Sequence, residues 1–96
     1  MLTGKQKRFL RAKAHHLQPI FQVGKGGVNE NMVKQISEAL EARELIKVSV
    51  LQNCEEDRDE VAEALATGAE AELVQVIGNV IVLYKESKEQ KTIELP

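Results

Sequence analysis

Ile20-Phe21-Gln22-Val23-Gly24-Lys25-Gly26-Gly27-Val28-Asn29 begins as a short apolar strand, breaks into a glycine loop, and closes on a residue type that starts helices. Glycine permits positive φ and lets the backbone come close to a ligand. A helix just behind such a loop presents unpaired N–H groups and the positive end of its dipole. Lys25 adds a mobile positive charge at the tip. Gly24, Lys25, Gly26 and Gly27 therefore read as a phosphate cradle, or more plainly as a tight strand-to-helix turn carrying an exposed lysine. Four residues do not decide between these readings, and the rest of the chain has to.

Charge is the first arbiter. Residues 1–28 hold Lys5, Lys7, Arg8, Arg11, Lys13 and Lys25 and no Asp or Glu, a charge of +6, while the remainder carries −8, giving the overall −2. A basic surface of this kind attracts a polyanion despite the acidic average, because screening at physiological salt limits each charge to roughly 8 Å. The plainer alternative is solvated helical faces that happen to segregate.

Outward from the loop, the elements follow from local signals. Thr3 with Gln6 three residues later forms a capping box opening a first helix that runs to about His16 and ends before Pro19. On a 100° wheel, Phe9, Leu10, Ala14 and Leu17 share an apolar arc. Lys7, Arg8, Arg11 and His15 share a cationic one with Lys5 at its edge, and Lys13 must snorkel out of the apolar arc. Asn29 caps a second helix, with Val28 and Val33 placed as a hydrophobic staple and a stripe of Val33, Ile36, Ala39 and Leu40 that stops near Glu44.

Leu45 to Leu51 then alternates with period two, putting Ile46, Val48 and Val50 on one face of a strand. An acidic-led stretch from Glu55 to Ala66 reads as a third helix with Gly68 as its C-terminal cap. Leu73–Ile77 and Val80–Tyr84 flank Gly78-Asn79 as a β-hairpin. The segment 86–96 is mostly polar and reads as a short extension, with Ile93 and Leu95 hinting that it docks. The predicted order is α-β-α-β-α-β-β, an α/β fold with a mixed four-stranded sheet packed with helices. The right-handed crossover rule places the second and third helices together on one face.

At 96 residues the chain supports one core and one domain. No apolar run reaches the ~20 residues needed to span a bilayer and no signal-peptide core precedes the first helix, so a cytoplasmic monomer is expected, with no membrane partner. The lone Cys54 has no disulfide partner, and adjacent His15 and His16 have no zinc-ligand spacing, so no metal or other cofactor is expected.

Three chemistries fail on their parts. The loop lacks the G-K-[ST] ending that places a magnesium-binding hydroxyl, which excludes a Walker-type phosphate loop. Asn29 stands where a dinucleotide fingerprint needs its third glycine. His15, His16 and Cys54 have no third residue to order them as nucleophile and base, and catalysis is not expected. What fits is a nucleic-acid-binding module of the kind in which a GxxG loop clamps backbone phosphates. With Phe9, Phe21 and Tyr84 as the sole aromatics, binding leans on phosphates and shape.

Five segments carry a resemblance: Leu2–Arg11, Ala14–Leu17, Gln22–Gly27, Ala39–Val48 and Ile77–Tyr84. Together, across residues 2–85, they closely resemble the CRM domain family in its stand-alone bacterial YhbY-like form. The resemblance implies a fold like the C-terminal domain of translation initiation factor three. It also implies RNA binding through the GxxG loop (Gly24, Lys25, Gly26, Gly27) and the basic first helix (Lys5, Lys7, Arg8, Arg11). It further implies association with precursors of the large ribosomal subunit, so that ribosomal RNA is the expected partner, and ribosomal proteins are a further expected partner apart from the resemblance. Two departures stand out: Asn79 occupies a hairpin turn that is basic in many relatives, and Lys85 follows Tyr84 where arginine is common. The alternative is a protein-interaction module that docks a ribosomal or other protein through its acidic third helix.

Overall fold

A computed structural model describes residues 1–96, with elements in the order α1 (Gly4–Ala14), β1 (Phe21–Val23), α2 (Glu30–Arg43), β2 (Leu45–Val50), α3 (Arg58–Gly68), β3 (Glu72–Ile77) and β4 (Val80–Tyr84). The sheet runs β1-β2-β4-β3, with β1 parallel to β2 and β4 antiparallel to both of its neighbours. β2 and β3 are thus parallel with β4 inserted between them. The crossovers through α2 and α3 accordingly lie on the same face, as the handedness rule requires.

Period two along the strands divides the interior into two cores. Ile46, Val48 and Val50 of β2, with Ile81 and Leu83 of β4, meet Ile36 and Leu40 of α2 and Val61 and Leu65 of α3. On the opposite face Leu45, Val82 and Tyr84 meet Leu10 and Ala14 of α1. Leu73 faces the first core and Val74 the second by ordinary alternation, and a register shift between Leu73 and Gln75 against β4 returns Val76 to the first.

The caps explain where the helices begin and end. The Thr3–Gln6 capping box forms in both directions, at 3.1 and 3.0 Å. α1 stops at Ala14, two residues short of His16, because the His15 N–H is shared between the Arg11 and Ala12 carbonyls and tightens the last turn. β1 starts at Phe21, leaving Ile20 40% exposed.

The third helix departs most from expectation. It begins at Arg58, capped by the Asp57 carboxylate on the Asp59 N–H, so Glu55 and Glu56 lie in the preceding loop. Gly68 is inside the helix. A Cβ there would meet both Val33 methyls at 3.1 Å, so the missing side chain serves the close approach of α2 and α3. The left-handed closing residue is Glu70 (φ 53°), and the Ala71 N–H reaches back to the Ala66 carbonyl.

The chain beyond Tyr84 folds back onto the α1 face. Ile93 joins the second core at 8% exposure, with Leu95 packed beside it. Two carboxylates at the end of α2 hold this segment. Glu44, fully buried at φ 66°, accepts the N–H groups of Ser87 (2.8 Å), Thr92 (2.7 Å) and Ile93 (2.8 Å). Glu41 accepts the Ser87 hydroxyl (2.6 Å) and the N–H groups of Lys88 and Glu89 (both 3.1 Å).

Candidate functional site

The glycine loop leaves the end of edge strand β1 and is closed by a hydrogen bond from the Gly27 N–H to the Gly24 carbonyl (3.0 Å). Its three glycines are not equivalent. Gly24 has ordinary room, a Cβ there lying 3.6 Å from Asn53 Oδ1, and Gly26 faces open space. Gly27 is buried, adopts φ 66°, and abuts the Glu56 side chain where a Cβ would lie. Lys25 is exposed at the tip.

Behind the loop, Asn29 caps α2 by accepting the Met32 N–H (2.9 Å), and the first-turn amides of Glu30 and Asn31 have no intrahelical acceptor by geometry. Glu56 Oε1 accepts the Val28 N–H (3.2 Å). One donor of the expected cradle is therefore already engaged by a carboxylate of the chain itself. Sequence reasoning missed Glu56 because the Glu55-Glu56-Asp57 run looks like helix-terminus charge, and only Asp57 performs that role.

α1 lies across β2, β3 and β4 on the face opposite α2, with Leu10 and Ala14 inward. Lys5, Arg8, Arg11 and His15 are exposed and Lys7 is half-buried. None of these cations has a carboxylate within 4 Å; the ion pairs of the molecule join the N-terminus to Glu72 and Lys91 to Glu86. The chain terminus covers one flank of α1, where Gln6 donates to the Pro96 carbonyl. Helical spacing then sends Lys7, Arg11 and His15 to the uncovered flank and Arg8 and Lys5 outward. The loop and α1 are thus two separate basic features, one at an end of the sheet and one across its face.

The Gly78-Asn79 turn shares the loop's end of the sheet. Asn79 exchanges two hydrogen bonds with the Val50 backbone (2.7 and 3.2 Å), and Arg58 donates to the Gly78 carbonyl. The turn itself lacks a cation, and α3 brings one to it. His15 and His16 stack edge to face at 5.6 Å, and the half-buried Cys54 thiol donates to the Glu56 carbonyl (3.6 Å). No group of three or more His, Cys, Asp or Glu side chains converges on a point that could hold a metal ion. No helix is long and apolar enough to cross a membrane.

A three-helix, mixed-sheet domain with a glycine loop leading into a capped helix and an unpaired basic helix across the sheet defines the class. The pattern of the CRS1 / YhbY (CRM) domain matches residues 2–85, and the chain belongs to that family. It is 81% identical to "Probable RNA-binding protein YqeI" of Bacillus subtilis over the full length of both chains. It is 41% identical to a Haemophilus influenzae protein named "RNA-binding protein", covering 99% of this chain and 95% of that one. The solution structure of a hypothetical protein from Staphylococcus aureus superposes with a TM-score of 0.83 at 66% identity, over all of both chains.

Proposed function

We propose that this chain is a non-catalytic, cytoplasmic RNA-binding protein that engages ribosomal RNA in precursors of the large ribosomal subunit and assists their assembly. The observation that carries RNA binding is the set of unpaired cations on α1 in an otherwise acidic chain, and the names of the relatives agree with it. The large-subunit target rests on the family resemblance. Lys5, Lys7, Arg8, Arg11 and His15 contact phosphates from α1, while Gly24, Lys25, Gly26 and Gly27 admit a phosphate near the α2 N-terminus. With Glu56 on the Val28 amide, that phosphate is received on the Lys25–Gly26 side of the loop.

Crosslinking in cells followed by sequencing of bound RNA tests the target. Enrichment of large-subunit precursor RNA supports the reading. A uniform RNA background with a strong protein crosslink would favour docking through the exposed Asp59, Glu60 and Glu63 of α3. In vitro, three to five phosphate contacts give a log K against log salt slope of about −2 to −3.5 on single-stranded RNA. Reversing Arg8 and Arg11 to Glu should flatten that slope. Gly26→Asp is the cleaner loop variant, since Gly26 has open space and no positive φ. It should cost more affinity than Lys25→Ala at unchanged stability, and parental binding by both would reduce the loop to a turn.

A further inference from the structure

On the flank of α1 away from the loop, the helix and the end of the chain enclose a groove of about 360 Å³. Lys13, His16 and Arg43 stand around it, over a floor of Leu17, Leu45 and Ile93. A smaller recess of about 130 Å³ shares Leu17, Arg43 and Leu45 and extends it toward the exposed Ile20. In a chain with 15 acidic residues, no carboxylate lines either one. The adjacent Glu44 is fully buried, with both carboxylate oxygens engaged by the Ser87, Thr92 and Ile93 amides. The volume falls within the range of small-molecule sites.

An apolar floor rimmed by three basic side chains suits a flat ring joined to an anion. Arginine adds a planar fork that pairs bidentately with phosphate and stacks on rings. The rest of the molecule is poor in such platforms: Tyr84 is 4% exposed, Phe21 is half-buried against the first core, and the face of Phe9 is occupied by Lys13 Nζ at 5.6 Å. We propose that this groove is a second RNA subsite that holds one unpaired nucleotide, its base on Leu17, Leu45 and Ile93 and its phosphate on Arg43, Lys13 and His16. This rests on the RNA-binding reading and adds to it a place where a base, and not the backbone alone, is held. It also makes the end of the chain, through Ile93, part of the binding surface.

The test is fluorescence anisotropy of the full chain with a labelled single-stranded RNA across a salt series, comparing Arg43→Glu, Arg43→Gln and, as a charge-matched control, Lys34→Glu on the exposed face of α2. Arg43→Glu should weaken binding about tenfold and reduce the salt slope by about 0.7, the value of one phosphate on a single strand. Arg43→Gln should fall between it and the parent without adding a negative charge to the helix end, and Lys34→Glu should stay close to the parent. Photo-crosslinking with 4-thiouridine RNA should label peptides containing Leu17 or Ile93. If the parent binds but Arg43→Glu and Lys34→Glu behave alike, or adducts fall on the glycine-loop peptide alone, the groove is not an RNA subsite and the RNA-binding reading stands. If the parent binds no RNA, both fall.

Discussion

Gly26 and Gly27 are the same letter side by side, yet they carry opposite burdens. Gly27 combines a left-handed φ of 66° with the Glu56 side chain on its Cβ position, whereas Gly26 meets nothing. Gly27→Ala is therefore expected to cost at least about 1–2 kcal/mol, the left-handed penalty alone, and Gly26→Ala to stay within about 0.5 kcal/mol. Urea unfolding of the two variants checks this. Adding Glu56→Ala to Gly27→Ala should recover the steric part and leave the backbone part. The glycine-rich tetrapeptide announces a loop from its composition, but which glycine is irreplaceable depends on the Glu56 carboxylate, on a separate loop beyond β2 and out of the reach of any local rule.

Elements were legible where their signals are local. β4 falls on Val80–Tyr84 as read because period two and a Gly-Asn turn bound it on the spot. α3 was misplaced at both ends because the nearest acidic run and the nearest glycine have other uses, on the loop and on Val33. The end of α2 hid more. Glu44 looks like a polar helix terminus and is instead a buried acceptor cluster. Burial alone would raise its pKa, but the Ser87, Thr92 and Ile93 amides outweigh it and hold the carboxyl below its ordinary 4.5. The Ser87 hydroxyl, then the Lys88 and Glu89 amides, lower Glu41 likewise. Below 4.5 the unfolded chain takes up protons before the folded one. This stabilisation is thus complete above about 5 and lost as pH falls through the folded values. Urea midpoints should drop between pH 5 and pH 3 in the parent and less so in Glu44→Gln. At neutral pH that variant should be about 2–3 kcal/mol less stable, because its amide nitrogen must face backbone donors.

For the molecule as a whole, crossover handedness set the layers in advance: α2 and α3 share one face, which leaves α1 for the other. What pattern could not supply was the part played by residues 86–96, whose polar composition conceals two apolar side chains and a set of backbone donors. Ending the chain at Glu86 should remove about 1.5–3 kcal/mol of Ile93 burial and leave the Glu44 carboxylate without partners. The combined loss of at least about 3 kcal/mol should lower Tm by more than about 12 °C in a melt followed by circular dichroism. A variant that melts with the parent would make the tail an ornament. The strand order β1-β2-β4-β3 has a consequence for how the protein is born. The strand that joins the two halves of the sheet is the last to be synthesised, so β3 has no neighbour until Tyr84 has emerged. At ~5–20 residues per second, the 34 residues from Val50 to Tyr84 take about 2–7 s to make. Throughout that interval the basic first helix, already complete, has behind it only β2 of the three strands it will finally cover.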